Sequence, residues 1–115
     1  MMGRSMELPL EIRVQEVGEM LHRGDDFVLL DVREQDEYSL VHLPEARLVP
    51  MSQIQGRLDE LAPLREKHVV VHCHHGGRSE RVTHWLRQQG FSHVQNMVGG
   101  IDAWSLEIDP SLPRY

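Results

Sequence analysis

His68-Val69-Val70-Val71-His72-Cys73-His74-His75-Gly76-Gly77-Arg78-Ser79 decides the fold. An aliphatic, β-branched run that ends in polar residues reads as a strand buried on both faces. Two adjacent glycines then permit a tight loop, and the pattern beyond them is helical. Val82, Trp85 and Leu86 recur at three- and four-residue spacing, with Arg81, His84, Arg87 and Gln88 off that stripe and Gly90 as the stop. The spacing predicts a helix over Ser79–Gln89. A strand, a short glycine loop and an amphipathic helix in this order make half of a βαβ unit. The unit places Cys73 at the carboxyl end of its strand, where open α/β sheets bind ligands.

Working outward, Phe27–Val32 reads as a second central strand, His93–Met97 as a weaker one, and Glu11–Val14 and Ala46–Val49 as two short ones. Gln15–Arg23 offers Val17, Met20 and Leu21 before Gly24, and Ser52–Leu61 offers Ile54, Leu58 and Leu61 behind a Ser52 cap, so both are expected to be helices. Strand and helix alternate through the chain. This predicts an α/β fold with a five-stranded, mainly parallel sheet flanked by helices on both faces. The 115 residues fit one domain, expected over residues 11–107 with residues 1–10 and 108–115 as terminal extensions, of which Met1–Leu8 and Asp109–Tyr115 look loosely held.

The formal net charge of −6 argues against a nucleic-acid partner, because phosphate neutralisation needs a surplus of Lys and Arg. The longest apolar stretches, Phe27–Leu30 and Val69–Val71, fall far short of the roughly 18 residues of a membrane span, so no membrane association is expected. Met1–Leu10 carries Arg4 and Glu7 and lacks the apolar core of a secretory signal, which makes the cytoplasm the expected location. Cys73 is the single cysteine, which excludes an internal disulfide and a four-cysteine zinc site. It is either packing or a reactive thiol. Of the eight histidines, His68, His72, His74, His75 and His84 lie close around it.

The loop after Cys73 favours the reactive thiol. Paired glycines allow close backbone approach, the helix start adds partial positive charge, and Arg78 adds a fixed cation, so the segment is suited to cradle an anion. A thiol held there is expected to ionise more readily than a free one. Together His72, Cys73, His74 and His75 resemble metal ligands in type. However, His72 and Cys73 point to opposite sides of a strand and a metal on Cys73 would block the cradle, so no metal and no cofactor are expected. The side chains of His74 and His75 are expected to add positive potential at the mouth.

Four ordered motifs resemble the rhodanese family of sulfurtransferases in its single-domain form: Asp31-Val32-Arg33-Glu34 with Glu37-Tyr38, His42-Leu43-Pro44-Glu45-Ala46, the Cys73–Ser79 loop, and Gly99-Gly100-Ile101-Asp102-Ala103-Trp104. Val41 and Glu45 stand where the family usually shows glycine. The resemblance implies that Cys73 is the nucleophile of a thiosulfate sulfurtransferase. In that chemistry Cys73 takes the outer sulfur of a small-molecule donor, expels sulfite and passes the sulfur from a persulfide to a small-molecule acceptor or a sulfur-relay protein. His74, His75, Gly76, Gly77, Arg78 and Ser79 would bind the substrate, with Arg78 offsetting the anion's charge. Two other readings compete. A cysteine phosphatase uses a similar cradle with five residues between cysteine and arginine, where this chain has four. A non-enzymatic persulfide carrier or binding module would keep the same loop and receive sulfur from a partner.

Elsewhere, Asp31 and Arg33 are expected to serve structure more than substrate contact, through an ion pair with Glu34 or Glu37. Tyr38 and Trp104 read as packing, and Glu34–Glu37 as a solvated helix start.

Overall fold

The computed structural model describes residues 8–115, so the part of the predicted N-terminal extension before Leu8 lies outside the described residues. Among these residues five strands form one parallel sheet: β1 (Glu11–Ile12), β2 (Val28–Asp31), β3 (Arg47–Leu48), β4 (His68–His72) and β5 (His93–Met97). Their order across the sheet is β1-β5-β4-β2-β3. The two apolar runs singled out in the sequence, β2 and β4, lie side by side near the centre, with Leu29 opposite Val70 and Asp31 opposite His72. The helices are α1 (Val14–Arg23), α2 (Gln35–Leu40), α3 (Leu58–Leu61), α4 (Gly77–Gln88) and α5 (Gly100–Glu107).

Alternation along the strands builds two cores, because successive side chains leave opposite faces. Leu29, Val70 and Met97 pack with Val14, Val17 and Met20 of α1 and with Ile101 and Trp104 of α5. On the other face Leu30, Val69, Val71, Cys73 and Val94 pack with Ile54, Leu61 and α4's Val82 and Leu86. Trp104 therefore serves the first core, and Tyr38 stacks on His42 at 3.9 Å.

The helix predicted over Ser52–Leu61 is broken. A 3₁₀ turn over Ile54–Arg57 precedes the single turn of α3, and a second 3₁₀ turn over Ala62–Leu64 follows it. Gly56 and Pro63 disfavour a continuous helix. Ser52 does not cap this segment; its hydroxyl donates to Glu34 Oε1 at 2.7 Å. Val41 adopts extended backbone at φ −160° and no non-glycine residue described has positive φ, so the chain turns at Pro44 without the family's glycines. The C-terminal segment is held. Arg114 Nε donates to Asp102 Oδ1 at 2.8 Å, and the Tyr115 ring lies flat on His74 at 3.8 Å.

Candidate active site

All five strands run the same way, so Asp31, His72 and Met97 end on one edge of the sheet. Cys73 follows β4 there, 1% exposed. Its loop closes within four residues because Gly76 adopts φ +118°, where an L side chain is strained. The helix beyond begins at Gly77, two residues before its predicted start, which brings Ser79 into the first turn and buries it. The result is a set of donors aimed at one atom. Cys73 Sγ receives the Gly76 N–H at 3.1 Å, the Ser79 N–H at 3.3 Å and the Ser79 hydroxyl at 3.3 Å. Burial alone would push the thiol up; the Ser79 hydroxyl and the N–H groups of Ser79, Gly76 and His75 outweigh it and hold the thiol below its ordinary value.

A second helix start fixes the loop from behind. Ile101 N–H donates to Cys73 O at 2.9 Å and Asp102 N–H to His74 O at 3.1 Å, so the first turn of α5 takes up the loop carbonyls while the first turn of α4 faces the sulfur.

Arg78 is committed to a carboxylate. Its Nη1 and Nη2 donate to the two oxygens of Glu37 at 2.6 and 2.9 Å, a bidentate fork. Glu37 also accepts the Tyr115 hydroxyl at 2.7 Å and the Glu34 N–H at 3.1 Å. The Arg78 fork first, with Tyr115 and the Glu34 N–H, takes its pKa down to about 2 against the opposing effect of burial. The Glu34–Glu37 segment is thus more than a solvated helix start. Glu34 and Glu37 form a capping box, and Glu37 turns inward to brace the loop.

Arg33 is fully buried and pairs with Asp31, through Nε at 3.0 Å and Nη2 at 2.8 Å, not with Glu34 or the Glu37 carboxylate. Its other donors go to Val41 O at 2.7 Å and the Tyr115 hydroxyl at 3.0 Å. An ion pair is present, with both side chains fully buried and with each other as partners instead of Glu34 or Glu37. His72 is buried on the opposite side of the strand from Cys73; burial lowers its pKa, and Asp31 Oδ2 lies 4.0 Å away.

The His74 ring is packed between Tyr115 and His75, and burial first, then the charge of His75, lowers its pKa. A lowered pKa favours the neutral form of this ring over the positive one expected from the sequence. The His75 side chain is 67% exposed, with Nε2 3.8 Å from Asp102 Oδ2. The ligand atoms of His74, His75 and Asp102 lie within 4.8 Å of one another. Asp102, however, is already tied to Arg114, whose Nε donates to Oδ1 at 2.8 Å.

Three residues around the site were not among the site residues expected from the sequence. Glu37 was readable from its three-residue spacing to Glu34. Asn96, buried on β5, and Tyr115 carried no local signal, because the fold alone brings them to the loop.

Residues 13–107 match the family described as Rhodanese-like domain. The chain is 34% identical over 124 residues to an Arabidopsis thaliana protein named adenylyltransferase and sulfurtransferase MOCS3, covering 94% of this chain and 27% of that one. It therefore spans about a quarter of that relative's length. It is 39% identical over 79 residues to the thiosulfate sulfurtransferase GlpE of Coxiella burnetii, covering 69% of this chain and 72% of that one. A solved rhodanese-like domain protein from Staphylococcus aureus superposes with a TM-score of 0.77 at 27% identity, over 91% of this chain and 97% of the other. No helix among the described residues is long and apolar enough to cross a membrane.

Proposed function

The chain belongs to the rhodanese-like domain family, and from that premise we propose that it moves a sulfane sulfur from thiosulfate or a related donor to a thiophilic acceptor through a persulfide on Cys73. Family membership and relatives named sulfurtransferases support sulfur transfer as the class of chemistry. The observation that carries the finer reading is the convergence of N–H and O–H donors on Cys73 Sγ at a strand end.

The Cys73 thiolate attacks the outer sulfur of thiosulfate; the new S–S bond forms as the old one breaks, and sulfite leaves with the electron pair. An acceptor thiolate then attacks the terminal sulfur, and Cys73 leaves as the thiolate. Two negative charges about 4 Å apart repel by about 4 kcal/mol at an effective dielectric near 20, so the site must offset several such terms. In this reading the N–H groups of His75, Gly76 and Ser79 and the start of α4 hold the charge. Gly77 carries the loop into the helix, and the side chains of His74 and His75 flank the entrance. Arg78 braces the loop through Glu37 and adds what field remains from a compensated cation. A lone thiol of this kind fits a reducing compartment such as the cytoplasm, and residues 11–107 form the domain that carries the chemistry, braced at Glu37 and His74 by Tyr115 from the C-terminal extension.

The Glu37–Arg78 pair also favours a second reading, a persulfide carrier fed by a partner protein, because the cation beside the loop is already matched by a carboxylate. Similarity to a relative named adenylyltransferase and sulfurtransferase MOCS3 adds support to this reading. Intact-mass measurement after thiosulfate exposure separates the two. The expected result is a gain of one sulfur atom, lost on adding cyanide or a thiol and absent in Cys73→Ser. Sulfur gain by Cys73→Ser would overturn the mechanism. No gain in the wild type from thiosulfate, with a gain from a protein persulfide, would select the carrier.

A further inference from the structure

Ser79 Oγ carries one hydrogen and faces three acceptors: Cys73 Sγ at 3.3 Å, Gly76 O at 3.2 Å and Asn96 Oδ1 at 2.5 Å. All three cannot be served at once. Asn96 is 3% exposed, and its amide orientation is fixed, because Nδ2 donates to Gly76 O at 3.3 Å and a flipped amide would set oxygen against oxygen. Oδ1 must therefore face the hydroxyl, at the shortest of the three distances. Gly76 O is served independently by the Glu80 N–H at 3.0 Å, so it does not compete strongly for the Ser79 proton.

We propose that Asn96 is a positioning residue for Cys73: it holds the Ser79 proton while the sulfur is a neutral thiol and releases it to the sulfur when the thiolate forms, so that it sets how readily Cys73 ionises. On ionisation the thiol proton leaves to solvent, and the Ser79 hydroxyl rotates from Asn96 Oδ1 to Sγ with no covalent bond broken. The thiolate must outcompete a good acceptor for that donor, which keeps the sulfur less acidic than the loop alone would make it. The same rotation serves sulfur transfer, where Cys73 must be an anion to attack and a leaving group afterwards. The other ionisable groups around the loop are Arg78 with Glu37 on α2, His74 and His75, Asp102 on α5, Arg114 and Tyr115 of the C-terminal segment, and His72 with Asp31 and Arg33 beneath; replacing Asn96 with an uncharged residue alters none of their charges.

The catalytic meaning rests on Cys73 being the nucleophile, but the test needs no sulfur donor. Cys73 is the sole cysteine, so the pH dependence of its alkylation by iodoacetamide reports its ionisation directly. Asn96→Ala is expected to lower the midpoint by about 0.5–1 pH unit, the scale of one net hydrogen bond. Ser79→Ala is expected to raise it, and adding Asn96→Ala to Ser79→Ala should change nothing more, because the donor is gone. A residue that merely supports the loop predicts the opposite sign, since loosening the cradle raises the thiol. A raised or unchanged midpoint in Asn96→Ala, or an equal fall with and without the Ser79 hydroxyl, overturns the proposal. If Asn96→Ala does not fold, NMR of the wild type and Ser79→Ala decides. The Asn96 carboxamide signals should shift at the Cys73 midpoint and respond less in Ser79→Ala, whereas equal responses overturn the inference. Failure of thiosulfate to load sulfur, with the alkylation pattern intact, would count against the proposed function and leave this inference standing.

Discussion

Glu37 takes four donors at once, two from Arg78 and one each from Tyr115 and the Glu34 backbone, so its removal should be felt both in stability and at the sulfur. Its pKa falls from 4.5 unfolded to about 2 folded. A depressed carboxylate stabilises the fold fully above its unfolded pKa and loses that contribution as pH falls through its folded one. Glu37→Gln is therefore expected to cost about 1–2 kcal/mol at pH 7, after allowance for solvent screening. Urea titrations from pH 7 downward should show the difference shrink between about pH 4.5 and pH 2. A difference that did not narrow would separate Glu37's stabilising role from its charge. Arg78 has a matching expectation. As a brace it should lose about the same catalytic efficiency with thiosulfate and with a neutral persulfide donor when changed to alanine, roughly 10- to 100-fold. Arg78→Lys should recover only part, because an ammonium cannot reproduce the planar fork. A much larger loss with thiosulfate alone would return Arg78 to the role of anion reader.

At the scale of elements, the Gly99-Gly100 turn decides whether α5 can seat on the loop. A Cβ at Gly100 would lie 2.5 Å from both Cys73 O and His74 O, and the residue's φ is +61°. Gly100→Ala should cost about 2–4 kcal/mol by thermal unfolding and reduce Cys73 reactivity as well. Gly56 gives the contrast. It has no neighbour within 4 Å of a Cβ and no positive φ, so Gly56→Ala should stabilise by roughly 0.4–1 kcal/mol. The same elements explain what could be read in advance. β2, β4 and α4 were legible because buried strands and amphipathic helices write their burial into local periodicity. Cys73 and its loop were legible because glycine, arginine and a helix start sit within seven residues. The break in the Ser52–Leu61 segment was not, since the apolar spacing of Ile54, Leu58 and Leu61 is the same whether the turns are α or 3₁₀. The Arg78–Glu37 fork and the Asn96–Ser79 contact join residues 41 and 17 positions apart, and no local pattern records such pairs.

For the whole molecule, the decisive feature is the strand order β1-β5-β4-β2-β3, in which the first strand finds its partner only in the last. Glu11 and Ile12 pair with Asn96 and Met97, and Leu10 O accepts the Asn96 N–H at 2.7 Å. On a ribosome, that order makes assembly wait. The β2-β3-β4 portion emerges early and can pair, but β1 stays without a neighbour until Met97 has cleared the exit tunnel, and the core beneath α1 stays open for as long. Asn96 therefore arrives together with the strand that closes the sheet, so a nascent chain should become protease-resistant and come under the Asn96 restraint on its thiol in the same late step. Stalled chains of increasing length, probed by protease and by thiol labelling, should show both properties appearing together once β5 is outside.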